Sequence, residues 1–377
     1  MVNCIGIGLM TSRYQNVQEL KEVLLSEDAH VDLDISNGAV SVKCKIIDEK
    51  DVFSTLLEHV IDEALNDSGI SQSSYSQKRT GFLLSTSLGD IEVLERNAEN
   101  QDFHQSDKAR LDYQLKKISD KFKINGPCLT VSNTCTSGIN AISVAMMWLE
   151  LGLIDLCIVA GVDLASHFIL DGMDVSGVLS KNDSFQAMKK NRDGLILSHG
   201  AGSVILVNTK ELSGKQNYGS ICGWGIGNDA KHIVAPDRYA SGINLAIQNA
   251  MKLAHVKLCD IDSIFIGVNG TNYNDQMYLT LLNSLLENEQ ERKPVSSIKH
   301  YFGHTLGASV IIEMIGIFLL MKHKCICAGV EESEEDEAFK VLNVVHRLQK
   351  CDMNKVLLLS NGFSGINGAL ILGGDKE

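Results

Sequence analysis

Short apolar runs alternate along this chain with stretches in which apolar residues recur every three to four positions, and the alternation persists from end to end. Buried strands are predicted at 4–11 (CIGIGLMT), 81–87 (GFLLSTS), 129–134 (LTVSNT), 156–162 (LCIVAGV), 202–208 (GSVILVN), 263–269 (SIFIGVN), 356–361 (VLLLSN) and 369–374 (ALILGG). Several are bounded by Gly or Asn, as buried strands usually are. Helices are predicted at 52–68, 108–122, 137–152, 240–255, 275–288 and 306–322. Strands and helices spaced in this way imply a layered α/β protein with a substantially parallel sheet. A polar join at 209–218 (TKELSGKQNY) divides the chain into halves of 1–212 and 213–377. These are read as closely packed halves, not units on a flexible linker.

Composition narrows the picture. The chain has 377 residues, with 34 Lys plus Arg against 47 Asp plus Glu and a formal net charge of −13. That argues against nucleic acid as a partner, since phosphate neutralisation needs a basic stripe. Ten Cys occur without a CxxC pair or a Cys/His cluster at zinc spacing, so no metal site is legible and the thiols are expected to be reduced. The opening MVNCIGIGLMTSRYQ lacks a basic segment before its apolar run, which reads as a buried strand of a cytoplasmic protein and not an export signal. The most apolar segment, Leu306 to Met321, contains Glu313 and is short for a bilayer, so a core helix is expected and no membrane insertion. The acidic run from Glu331 to Glu337 is expected to be a solvated loop.

Four places carry candidate chemistry. VSNTCTSGINAISVAMMWLELG puts Cys135 between an apolar strand and a helix start, a nucleophile-elbow arrangement in which the helix dipole favours a thiolate. Taken alone, a Cys at a strand end serves packing as readily as attack. SSIKHYFGHTLGASVIIEMI sets His304 five residues after Lys299, with Glu313 following inside an apolar helix. A charge there needs a partner, and Lys299 is the obvious one. FIGVNGTNYND runs a strand into Asn269-Gly270-Thr271, with Asn274 and Asp275 as natural N-caps of the next helix. LLLSNGFSGINGALIL places Gly362, Phe363, Ser364 and Gly365 in a loop between two strands, able to aim backbone N–H groups at an oxyanion.

Together, in this order and at these intervals, the motifs TCTSG, NGT, SSIKHYFGHTLGAS and NGFSGINGA resemble those of the elongating β-ketoacyl-ACP synthases of the thiolase superfamily. The resemblance extends over nearly the whole chain, with CIGIGLMT like the family's first strand and NRDGLILSHGAGSVILV like the loop and last strand of its first half. It implies a thiolase-like fold of two βαβαβαββ halves in five α/β/α/β/α layers, dimerising through the strand near Cys135. It also implies decarboxylative Claisen condensation without a resident cofactor, the acyl groups arriving on the phosphopantetheine of an acyl carrier protein. By position, Cys135 would accept the acyl chain and His304 would donate to the enolate. Lys299 and Glu313 would support them, and the N–H groups of Cys135 and Phe363 would form the oxyanion hole with Phe363 as gate.

The chain departs from the family at several of these positions. Asn269 stands where a second His is expected. Ala187-Met188-Lys189-Lys190 replaces Arg-Pro-Phe-Asp, Ser198-His199 replaces Gly-Glu, and Ser364 replaces a Gly of the terminal loop. This pattern resembles the chain-length factor, the non-condensing homologue that pairs with an active ketosynthase in type II polyketide and aryl-polyene systems. The alternative is an active β-ketoacyl-ACP synthase with a Cys–Asn–His site, working as a homodimer. Lys78-Arg79, Lys116-Lys117 and Lys189-Lys190-Arg192 are the candidate docking cations for an acidic carrier protein.

Overall fold

The computed structural model describes residues 1–27, 33–40, 51–212, 214, 216–287, 289 and 292–374; Cys44 lies outside them. The first half runs β1 (Val2–Thr11), α1 (Val17–Leu24), β2 (Ile35–Ser36), β3 (Ala39–Val40), α2 (Val52–Asp67), α3 (Gln72–Tyr75), β4 (Thr80–Ser85), α4 (Glu92–Asn100), α5 (Leu111–Lys121), β5 (Cys128–Val131), α6 (Ser137–Glu150), β6 (Leu156–Asp163), α7 (His167–Val175) and β7 (Gly200–Asn208). The second runs β8 (Gly219–Asn228), α8 (Ser241–Ala254), β9 (Ser263–Phe265), α9 (Asn272–Leu286), β10 (Pro294–Ser296), α10 (Ser309–Lys322), β11 (Cys325–Ile326), β12 (Asn343–Val344), β13 (Gln349–Lys350), β14 (Lys355–Asn361) and β15 (Ile366–Gly373).

The halves repeat one topology. The strand order is β12-β10-β9-β14-β15-β8-β1-β7-β6-β4-β5. In the first half β5, β4 and β6 are mutually parallel while β7 and β1 run antiparallel to their neighbours. In the second, β10, β9 and β14 are parallel and β15 and β8 antiparallel in the same places. The halves meet where β1 pairs with β8, from Val2 opposite Ile221 to Cys4 opposite Gly219. Beyond Cys4 the two strands part, which exposes β1 amides that no strand covers. α2 supplies the acceptors instead: Asp67 Oδ2 takes the Ile7 N–H at 3.0 Å and Glu63 Oε2 the Leu9 N–H at 2.9 Å.

Alternation along the strands builds five layers. Val204 and Leu206 face inward with α6 and α10, whereas Ile205 and Val207 face outward against α2 and α5. Leu358 likewise joins the central core while Leu357 and Leu359 pack against α8 and α9. α10 is buried from Ser309 to Met321 because it lies in the central core, packed on β7 and α6, so its apolar run is a core helix of 14 residues. Among the described residues no helix is long and apolar enough to cross a membrane.

The sequence pattern missed β8, the short strands β2, β3 and β10 to β13, and the helices α1, α3, α4 and α7. β8 reads GSICGWGIGN, where glycines displace the branched residues that mark a strand. The structure gives the reason: Cβ atoms at Gly223, Gly225 and Gly227 would lie 2.4, 1.9 and 2.1 Å from carbonyl oxygens of α8. The expected N-cap role of Asn274 and Asp275 is also corrected, since α9 begins at Asn272 after Thr271 and both residues lie within its first turns.

Candidate functional site

Cys135 sits in a strained turn between β5 and α6. Thr134, immediately before it, holds a left-handed backbone (φ +53), a costly conformation for a β-branched residue. Ser137 pins the turn: its Oγ donates to the Thr134 carbonyl at 2.6 Å and accepts the Asn133 N–H at 2.7 Å. Burial pushes the Cys135 thiol up to about 12, and Lys299, the neighbour that pulls it down, is opposed by Asp163 and Glu313.

Lys299 Nζ lies 2.5 Å from Glu313 Oε1, and both side chains are 2% exposed. Burial raises the Glu313 carboxyl and the Lys299 ammonium counters it. His304 is buried between β7 and α10. Its backbone N–H donates to the Ile196 carbonyl at 2.7 Å, and its Nδ1 accepts the Leu306 N–H at 2.9 Å. Burial, helped by Lys299, lowers the ring to about 3. The imidazole is therefore neutral with its proton on Nε2, a donor directed away from the peptide that fixes Nδ1.

Asp163 was not singled out from the sequence, yet it locks this region. Its carboxylate accepts Thr86 Oγ1 at 2.7 Å, the Ser87 N–H at 2.7 Å and the Gly307 N–H at 2.6 Å. The start of the α10 segment is thereby tied to the ends of β4 and β6. The available signal was an acid closing an otherwise apolar strand.

Asn269 ends the segment after β9. Its Oδ1 accepts both the Thr271 N–H (3.0 Å) and Thr271 Oγ1 (2.8 Å), which orients the side-chain NH₂ away from that turn as a donor. Asp275 holds the turn from behind, accepting the N–H groups of Asn269, Gly270 and Met188 at 3.1, 3.2 and 2.9 Å. Asn274 bonds the Gly267 carbonyl and receives Asn361 Nδ2 at 2.6 Å, which joins this turn to the terminal loop.

That loop lies directly on Cys135. A Cβ at Gly362 would meet Thr134 Oγ1 at 2.0 Å and the Cys135 nitrogen at 3.2 Å, so only glycine permits the approach. The amides of Gly362 and Ser364 are committed to Ile366 and Ile233 carbonyls at 2.8 and 2.5 Å, and that of Phe363 lies between them. The Phe363 ring packs in a cluster with Leu197 and Leu306, beside His304. Ser364 adopts φ +64 and keeps its Cβ exposed. The fold thus gathers residues from 135, 269, 299–313 and 362–364 into one region.

The candidate docking cations are largely consumed. Lys78 pairs with Glu211 and Arg79 with Asp155, each at 2.5 Å, and Lys117 with Asp51 at 2.7 Å. Lys189 pairs with Glu334, Lys190 with Glu337 at 3.3 Å and Arg192 with Asp336 at 2.5 Å. The acidic run is the expected loop, with Glu331, Glu332, Ser333, Glu334 and Glu337 exposed, and it is anchored at one end. Glu335 is buried beside His346, and backbone bonds join Asp336 to Met188 and Lys190 to Glu334.

Comparison with known proteins gives the family and the fold. The chain matches the profile of the Beta-ketoacyl synthase, N-terminal domain, over residues 35–212 and of the Beta-ketoacyl synthase, C-terminal domain, over residues 218–331. It is 30% identical over 266 residues to the 3-oxoacyl-[acyl-carrier-protein] synthase 2 of Rhizobium meliloti, covering 68% of this chain and 63% of that relative. Against the putative polyketide beta-ketoacyl synthase 1 of Streptomyces halstedii it is 25% identical over 337 residues, 84% of this chain and 80% of the relative. Solved structures that share the fold include the ishigamide ketosynthase/chain length factor (TM-score 0.88, 22% identity, 100% and 99% coverage). Another is the ketosynthase ApeO in complex with its chain length factor ApeC from Xenorhabdus doucetiae (TM-score 0.84, 22% identity, 99% and 98% coverage). The protein has the thiolase-like fold and belongs to the β-ketoacyl synthase family.

Proposed function

We propose that this chain is a chain-length-factor-type subunit that pairs with a homologous, active ketosynthase in the cytoplasm and shapes the tunnel in which an acyl or polyketide chain grows. The observation that carries the reading is Asn269. A condensing site of the elongating type needs two well-aimed donors at the carbonyl of the extender unit, and here the second His is replaced by a shorter amide. Loss of one such donor lowers a rate on the order of 10²–10³-fold. The consumed docking cations favour the same reading, because an acidic carrier protein would find its main positive surface on the partner subunit.

A second reading, an active condensing enzyme, is favoured by the retained Cys135, the buried Lys299–Glu313 pair and two remaining donors, His304 Nε2–H and Asn269 Nδ2–H. In that mechanism Cys135 takes the acyl group as a thioester from carrier-borne phosphopantetheine. The backbone N–H groups of Cys135 and Phe363 hold the thioester oxygen. His304 and Asn269 then stabilise the enolate left when a malonyl unit loses carbon dioxide. No resident metal or cofactor enters either reading.

The test is intact-protein mass spectrometry of the purified chain with acyl-ACP and malonyl-ACP, alone and with a co-encoded ketosynthase, using Cys135→Ala as control. The proposal expects no acyl mass on this chain while the pair elongates. A Cys135-dependent acyl mass with release of a β-ketoacyl product by this chain alone overturns it in favour of the second reading.

A further inference from the structure

Two stretches far apart in the chain meet behind the Asn269 turn. One is the loop 187–194, where Ala187-Met188-Lys189-Lys190 departs from the family pattern, and the other is the acidic segment around Glu335. Met188 is fully buried and holds a left-handed backbone (φ +61), a costly conformation for a residue with a side chain. Such strain persists only where the surroundings over-determine it, and here both backbone polar groups of Met188 are fixed. Its N–H donates to Asp275 Oδ2 at 2.9 Å, and its carbonyl accepts the Asp336 N–H at 2.9 Å. An antiparallel bridge between Lys189 and Glu335, and a bond from the Lys190 N–H to the Glu334 carbonyl at 3.2 Å, extend the pairing. Asp275 is the joint. Its other oxygen, Oδ1, accepts the N–H groups of Asn269 and Gly270 at 3.1 and 3.2 Å. The loop also lies against the turn itself, since a Cβ at Gly270 would stand 2.5 Å from the Gly194 carbonyl oxygen.

Ion pairs lock this contact, and the Arg192–Asp336 pair is the most enclosed of them. The Arg192 side chain is 9% exposed. One of its guanidinium nitrogens donates to Asp336 Oδ2 at 2.5 Å and to the Lys189 carbonyl at 2.8 Å, and its Cζ lies 5.6 Å from the centre of the Phe339 ring. Asp336 Oδ1 accepts the Ala338 N–H at 3.0 Å, so the carboxylate is held on both sides. Lys189 pairs with Glu334 beside it, while the exposed Lys190–Glu337 pair adds little. We propose that Arg192 and Asp336 are positioning residues for Asn269, their ion pair holding Met188 in place so that Asp275 fixes the turn from which the Asn269 amide projects. The acidic segment is thereby a strap that crosses from the second half of the chain to the first and sets the direction of one site residue. The inference concerns the geometry of that turn and holds under either functional reading.

The test is amide hydrogen exchange of the full chain, read by mass spectrometry of peptides covering Met188, Asn269–Gly270 and, as a control, Leu357–Leu359 of β14. The proteins compared are the wild type, Arg192→Gln, Arg192→Lys and Asp336→Asn. Arg192→Gln and Asp336→Asn are expected to speed exchange about tenfold at both Met188 and Asn269–Gly270, the effect of losing one hydrogen bond to a charged group, with β14 unchanged. Asp336→Asn is nearly isosteric and carries the test alone if Arg192→Gln does not fold. Arg192→Lys keeps the charge and should restore most of the protection. Faster exchange at Met188 alone overturns the proposal, because the ion pair then holds only its own loop. Equal acceleration in β14 also overturns it, assigning the pair to global stability, and so does a lysine variant that exchanges as fast as the glutamine one, since the charge would then hold nothing. Unchanged exchange in every peptide has the same consequence. No acyl substrate enters the measurement, so its failure leaves the choice between the two functional readings to the acylation experiment.

Discussion

Ser364 holds its left-handed backbone with an exposed side chain, and a Cβ in that conformation is disfavoured. Ser364→Gly should therefore stabilise the protein by about 0.5–1 kcal/mol, read as a higher urea midpoint at unchanged slope. His304 makes a prediction with a sign. Its ring is lowered to about 3 in the folded chain, against about 6.5 when unfolded. Acid therefore protonates the unfolded state first. The stability this group contributes is complete above about pH 6.5 and is lost as pH falls from there toward 3, at up to about 1.4 kcal/mol per pH unit. His304→Gln should flatten the fall in unfolding free energy below pH 6.5 by that amount. An equally steep fall in the variant would show that the imidazole is protonated in the folded protein. At this scale the sequence could name Cys135, Lys299, His304 and Glu313, because a nucleophile at a strand end and charges beside an apolar helix are visible locally. It could not name Asp163, since an acid gains meaning only from the backbone amides that other segments bring to it.

Elements show the same division. α10 was legible as a core helix because a charge-poor apolar run of this length has few other destinations, and Glu313 marked its one electrostatic requirement. Glu313→Gln leaves the Lys299 ammonium buried without a counter-charge and should cost about 3–5 kcal/mol, whereas replacing both residues by Met should cost less. Equilibrium unfolding of the two variants checks the order. β8 was illegible for the opposite reason. Its glycines carry no strand signal, and their purpose is to let α8 lie against the strand backbone. Gly225→Ala, whose Cβ would fall 1.9 Å from the Ala246 oxygen, should destabilise by about 3 kcal/mol, seen as a lowered melting temperature.

In the whole molecule, β5 ends the sheet order and pairs on one side only, with Leu129 43% exposed on its edge. An apolar unpaired edge is a template for another strand, which fits the pairing of subunits in both functional readings. Leu129→Lys should convert a dimer, whether with itself or with a ketosynthase, into monomers in size-exclusion chromatography coupled to light scattering. A variant that still dimerises would place the interface elsewhere. The sequence by itself determined the layered α/β class, the alternation of strands and helices, and the short motifs around Cys135, Asn269, His304 and Phe363, because hydrophobic period and turn chemistry are local properties. The tertiary structure showed the strand register by which the two halves meet and the hydrogen bonds that draw their loops together. It also decided that the surroundings of Cys135 push its thiol up, and that the basic and acidic runs neutralise one another. Those outcomes depend on desolvation and on distances between residues far apart in the chain, which no local pattern encodes.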